Sequence, residues 1–212
     1  MLRMNFIRAY CCNFRFLNTR QMDHILTIAY QHPNFTPGDL EEIMQAHSKV
    51  TMEKGAMLLE RGQVAGDYYI LESGLVRSYL FDYEERDITT GFSGVGDVVI
   101  EVASFFQRVP TEDYIQCLTD CVLWKISFEQ FQELFHRIPA LREWGRNWMA
   151  YELYRSKIRA TEMITLPAFR RYQQLLEKHP QVLQSAPLKY IASFLGVTDT
   201  SLSRIRKDFA HQ

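Results

Sequence analysis

The 212 residues predict an α+β fold: an N-terminal antiparallel β-roll, one long connecting helix and a C-terminal helix-turn-helix. Three observations carry this. Between Val50 and Ser127, short runs rich in Val, Ile, Leu, Tyr and Phe alternate with Gly55, Gly62, Gly66, Gly74, Gly91, Gly94 and Gly96, the texture of turn-connected strands. After Ser127 the glycines thin out and apolar residues return every three or four positions, which is the helical period. Near the C-terminus, "LKYIASFLGVTDTSLSRIRK" (188–207) places two short amphipathic segments on either side of a glycine.

Residues 1–21 carry Arg3, Arg8, Arg15 and Arg20, no acid, and aromatics without period. No continuous apolar segment follows them, so a secretory signal is not expected. They read as an extension that contributes little to the fold, with a basic arm on nucleic acid as the functional alternative. Met22 opens the amphipathic "MDHILTIAYQHP", and "TPGDLEEIMQAHS" (36–48) starts a helix with a proline and an acidic first turn. The roll follows, to about residue 137, ending in "SFEQFQELFHRI" with Phe128, Phe131 and Leu134 on one helical face. Pro139 then opens a long helix reaching about Met163. Along it Leu141, Trp144, Trp148, Tyr151, Tyr154 and Ile158 form an apolar seam. Core packing would explain such a seam. Its position between two chemically distinct modules favours a helix that pairs with its copy in a homodimer. The expected division is therefore 22–137, 138–163 and 164–212.

Composition narrows the function classes. Hydrophobic content of 47% with 23% charged residues matches a soluble globular chain. No apolar run approaches the ~18–20 residues of a membrane span. Four cysteines (Cys11, Cys12, Cys117, Cys121) are too few for a disulfide scaffold and lack zinc-site spacing. A reducing cytoplasm and no bound metal or cofactor are expected. The net charge of −1 hides a division. Residues 22–150 hold 10 Lys/Arg against 20 Asp/Glu, whereas residues 151–212 hold 10 against 5. An acidic body joined to a basic module implies that the module faces a polyanion.

The glycine-centred stretch meets the demands of a helix-turn-helix. Ala192 is small where the two helices approach, and Gly196 opens the turn where positive φ is easiest. Ile191, Leu195, Val197, Leu202 and Ile205 fill the buried slots. Thr198 is placed to cap the second helix, and Asp199 suits its positive end. If that helix enters a major groove of double-stranded DNA, its outward face is Asp199, Thr200, Ser203, Arg204 and Lys207. Arg204 is the candidate for a bidentate guanine contact. Lys189, Arg206 and Lys207 suit phosphates.

A glycine-punctuated roll, a long helix and a C-terminal helix-turn-helix, in that order, resemble the bacterial cyclic AMP receptor and fumarate–nitrate regulator (Crp/Fnr) family. The likeness covers about residues 25–210 and rests on "KGAMLLERGQ", "DYYILESGLVRSYL", "GDVVIEVASF" and the helix-turn-helix. It implies a cyclic-nucleotide-binding-like roll, a winged-helix-like reader, a homodimer, a transcriptional role and RNA polymerase as a partner. In nucleotide-binding members a Gly-Asp-x-x-Gly-Glu segment precedes an arginine by about ten residues; the glutamate holds the ribose and the arginine the cyclic phosphate. Here Gly96, Asp97 and Glu101 are present, but Ile100 replaces the second glycine. The arginine position falls on Thr111, followed by Glu112 and Asp113. A carboxylate about 4 Å from a phosphate repels it by roughly 4 kcal/mol at an effective dielectric near 20. The expected effector is therefore not cyclic AMP, with Gly96, Glu101, Thr111 and Glu112 as the candidate pocket and the ligand unidentified.

Two rival classes remain. Enzymatic activity finds no support, because none of the six histidines lies between residues 48 and 135, where a roll would need metal ligands. "GVG" and "GFSG" match neither a phosphate loop nor a nucleophile elbow. The second rival is a sensor or scaffold working mainly through protein contacts, with a vestigial reader.

Overall fold

The computed structural model describes residues 24–210. The expectations for residues 1–21, and for Cys11 and Cys12, lie outside the described residues. The chain enters through α1 (Ile25–Ala29), a single turn whose Leu26 N–H donates to His24 Nδ1 at 3.3 Å. Helix α2 (Pro37–Ala46) starts in a capping box. Thr36 Oγ1 accepts from the Asp39 N–H at 3.1 Å, and the Asp39 carboxylate accepts from the Thr36 N–H at 2.9 Å.

At Ser48 the period changes to alternation and eight strands follow: β1 (Ser48–Met52), β2 (Met57–Leu59), β3 (Asp67–Ser73), β4 (Val76–Phe81), β5 (Asp87–Ser93), β6 (Val98–Val99), β7 (Tyr114–Cys117) and β8 (Cys121–Ser127). The short helix α3 (Val102–Gln107) interrupts them. They pair antiparallel in two four-stranded sheets, β1-β8-β3-β6 and β2-β7-β4-β5, so the expected roll is present. Gly74, between β3 and β4, has φ +104, and a Cβ there would stand 2.6 Å from Asp120 O and from Cys121 Sγ. Only glycine fits that turn.

Ile70, Leu71, Leu123 and Ile126 are all fully buried in one core cluster. Tyr68, Phe105 and Phe131 meet edge to face at 5.4–5.8 Å between centroids. A polar chain threads this core. His47 Nδ1 donates to Ile43 O at 2.6 Å, so its Nε2 accepts from the Tyr30 hydroxyl at 3.1 Å, and Tyr30 and Tyr68 share a hydrogen bond. Burial lowers the His47 pKa to about 4.

Helix α4 (Phe128–Arg137) begins in a second capping box, Ser127 with Gln130. Helix α5 (Pro139–Thr165) has 27 residues and is about 40 Å long. Its face differs from the expected one. Leu141 is 1% exposed and Trp144 7%, both in the roll core; Trp144 Nε1 donates to Ala29 O at 3.0 Å, and Trp148 packs beside them. Leu141 and Trp144 belong to their own chain's core, with Trp148 packed against it, whereas Tyr151 and Tyr154 are 50% and 48% exposed. Tyr151, Tyr154 and Ile158 continue the same side of the helix. The opposite side carries Met149, Leu153 (73% exposed) and Ile164 (86% exposed) in solvent. A three-to-four spacing does not say which of two apolar faces turns inward.

Helices α6 (Ala168–Lys178), α7 (Pro180–Ser185), α8 (Leu188–Phe194) and α9 (Asp199–Ala210) complete the chain. They pack around Tyr172, Leu175, Val182, Ile191, Ala192, Leu195 and Leu202, and Leu75 and Leu118 of the roll join this second core. Among the described residues no strand follows Ser127, and the helix-turn-helix is built there from helices alone.

A candidate nucleic-acid interface and a candidate effector pocket

The turn between α8 and α9 is built as a helix-turn-helix requires. Ala192 is buried at the crossing, and the Val197 N–H donates to its carbonyl at 3.0 Å. Gly196 has φ +63, and a Cβ there would come within 2.5 Å of Met163 Cε on α5. The Ser201 N–H donates to Thr198 Oγ1 at 3.2 Å, which makes Thr198 the cap. Asp199 follows in the first turn. Leu202 (1% exposed) faces Ile191, so the apolar stripe of α9 is committed inward.

The remaining face of α9 is open. Thr198, Asp199, Thr200, Ser203, Arg204, Arg206 and Lys207 are all exposed, and Lys189 is exposed on α8. Ser203 Oγ donates back to Asp199 O at 2.9 Å, leaving its lone pairs as acceptors. The chemistry offered outward is two hydroxyls near the helix start, one guanidinium fork a turn later and a basic C-terminal end. Arg171, which lies in the basic part of the chain, turns inward to clamp carbonyls: its Nη2 donates to Leu195 O at 2.8 Å and its Nη1 to Leu166 O.

The candidate effector residues are not brought together. Glu101 lines a pocket of about 180 Å³ between the loop at Gln63–Gly66, Tyr69 and Ile115. Its carboxylate accepts from the Ala103 and Ser104 amides at 3.2 and 2.5 Å and thereby caps α3 itself. Gly96 sits in the turn before β6, its N–H donating to Leu71 O at 2.8 Å. Thr111 is buried, its N–H on Gln63 O and its Oγ1 accepting from Asp113 N–H. Glu112 is drawn to Arg61 at 2.8 Å on the surface. Asp113, the second acid after position 111, is partly withdrawn from solvent. Its Oδ1 is buried without a hydrogen-bond partner, and burial, then the charges of Glu101 and Glu112, raise its pKa. Arg108 donates to Ala65 O at 2.5 Å and stacks on Phe128.

Residues 49–137 match the family model described as cyclic nucleotide-binding domain. Over these residues the roll is similar to cyclic nucleotide-binding domains. The CRP-like protein Clp of Xanthomonas campestris pv. campestris is 32% identical over 74 residues, which is 35% of this chain and 32% of that protein. The match therefore spans about a third of the length of such curated relatives. Among solved structures, the c-di-GMP responsive global regulator CLP from Xanthomonas campestris superposes with a TM-score of 0.65 at 21% identity, covering 83% of this chain and 92% of that one. FixK2 from Bradyrhizobium japonicum gives 0.67 at 18% identity, covering 78% and 85%. These superpositions show that the described chain shares the fold of those structures. Among the described residues no helix is long and apolar enough to cross a membrane.

Proposed function

We propose that the chain is a homodimeric, sequence-specific DNA-binding regulator of transcription in the cytoplasm, without enzymatic activity, whose cyclic nucleotide-binding domain does not take cyclic AMP. The observation that carries the DNA reading is α9. Its apolar stripe is anchored by Leu202 while every polar side chain suited to a duplex points outward, on the basic part of an otherwise acidic chain. Arg204 reads a guanine edge, Thr200 and Ser203 reach bases or phosphates, and Lys189, Arg206 and Lys207 neutralise phosphates. Two such helices would reach successive major grooves about 34 Å apart. For the dimer, Met149, Leu153, Ser156 and Ala160 repeat at heptad spacing on a face of α5 that is exposed throughout, whereas on the Leu141–Ile158 side Leu141 and Trp144 are buried and Tyr151 and Tyr154 half-exposed. RNA polymerase is the protein partner this role implies.

The exclusion of cyclic AMP follows from the pocket. Glu101 is committed to the α3 amides, no arginine is among the residues lining its pocket, and Asp67 adds a second carboxylate to that lining. The same carboxylates oppose the phosphates of a cyclic dinucleotide, the effector class in the CLP structure's description. Binding of duplex fragments at several salt concentrations tests the DNA reading. Log affinity should fall against log salt with a slope near −0.9 per phosphate neutralised, and genome-wide occupancy should be lost in Arg204→Ala. Weak binding that ignores salt favours the protein-contact alternative.

A further inference from the structure

Strand β5 is an edge of its sheet, with β4 as its strand partner. An open edge presents unpaired amides and carbonyls, and proteins cover such edges. Here the reader covers it. The Thr89 N–H donates to Ser193 Oγ of α8 at 3.2 Å. Arg159 of α5 donates to Thr90 O and, at 3.2 Å, to Phe194 O, with its guanidinium 4.2 Å from the Phe194 ring. Phe92 meets Phe194 at 5.1 Å.

Beside this seam lies Arg77 of β4, only 2% exposed. Its two Nη atoms hold Asp87 at 2.8 and 2.7 Å. Its guanidinium is sandwiched between Tyr79 of the roll, 3.8 Å from the ring centroid, and Tyr190 of α8, at 3.4 Å. A fully buried arginine needs its charge paired and its faces covered. The roll supplies the pair and one face; the reader supplies the other.

We propose that Arg77 is a positioning residue for DNA reading: by stacking on Tyr190 it holds the first helix of the helix-turn-helix on the β5 edge, so that the roll sets the angle at which α9 meets DNA. The choice of side chain fits a reversible contact. A leucine at position 77 would fix the two parts together, because undocking would expose it. A guanidinium paired with the half-exposed Asp87 is stable under Tyr190 and stable again in water once the ring withdraws. Leu75 and Leu118, shared with the reader's core, make the docked pose the resting one. Any change in the roll that shifts β4 against β5 moves α8, and α9 turns with it.

This role rests on the DNA-reading proposal, and two readouts on the full-length chain separate them. The first needs no DNA: amide exchange at Thr89, whose N–H is held by the reader. Tyr190→Ala should speed it at least tenfold, Arg77→Lys should do the same from the roll side, and Tyr190→Phe, which keeps the ring, should leave it as in the wild type. The second uses synthetic duplexes carrying the half-site enriched by the wild-type chain at varied spacings. The wild type should favour one spacing, and Tyr190→Ala should flatten that preference about tenfold while the salt slope stays the same. Unchanged Thr89 exchange in both Tyr190→Ala and Arg77→Lys overturns the contact itself. Faster exchange with an intact spacing preference overturns its role in positioning. A wild-type chain with no salt-dependent duplex binding overturns the DNA reading and this role with it, whatever the exchange rates show.

Discussion

Arg204 and Arg206 stand two residues apart on one exposed helix, yet they are assigned different work. Arg204→Ala should cost roughly 1–3 kcal/mol of specific binding and relax base preference at one position of the site. Arg206→Ala should weaken binding to all duplexes alike and reduce the salt slope by about one. Competition binding across single-base variants of the enriched site distinguishes the two, and equal loss on every variant in Arg204→Ala would remove its base-reading role. A second residue-scale prediction concerns His47. Burial holds its pKa at about 4, below the 6.5 of an unfolded chain. Between these values the unfolded state binds a proton that the folded state refuses, so stability present above pH 6.5 declines as the pH falls toward 4. The shift corresponds to about 3 kcal/mol. His179, lowered by burial as well, acts in the same direction. Urea midpoints measured from pH 7 to pH 4 should fall, and His47→Gln should flatten the profile.

Helix α5 shows most clearly what patterning leaves open at the scale of an element. Leu141, Trp144, Trp148, Tyr151, Tyr154 and Ile158 give a faithful helical period, but only Leu141, Trp144 and Trp148 pack into the roll core, while Tyr151 and Tyr154 are half-exposed. The outward face is less apolar in count, but Leu153 and Ile164 stand in water there. Leu153→Glu should therefore give a monomer by light scattering, whereas Tyr154→Glu should leave the dimer intact; the reverse result would restore the original face. Trp144→Ala should act on folding instead, costing about 3–5 kcal/mol, because it empties a site in the core and removes the hydrogen bond to Ala29 O. The helix-turn-helix was legible residue by residue, since its capping residue, its positive-φ glycine and its buried apolar positions are demands of local geometry.

Across the whole molecule, the fold and the pocket follow different rules. The order of roll, long helix and reader was visible because glycine spacing, period and charge each change once along the chain. The pocket was only half visible. Losing an arginine at position 111 could be seen, but the capping of α3 by Glu101 and the orphaned carboxylate of Asp113 needed coordinates. Cyclic AMP at millimolar concentration should leave the melting temperature unchanged, and a rise of several degrees would refute the exclusion. The contact between roll and reader had no trace in any motif. Arg77 sits in an ordinary strand sequence, and Tyr190, Ser193 and Arg159 look like helix surface.

By itself the sequence determined which segments are strands and helices, where the reader turns, and that its last helix keeps a polar face free, because caps, glycines and periodicity act over a few residues. Tertiary structure alone decided which part of the long helix is core, that the Glu101 carboxylate caps α3 beside its pocket, and that the reader lies along an open sheet edge. Those are outcomes of competition among distant surfaces for burial and hydrogen bonds, and no short window of residues contains both competitors.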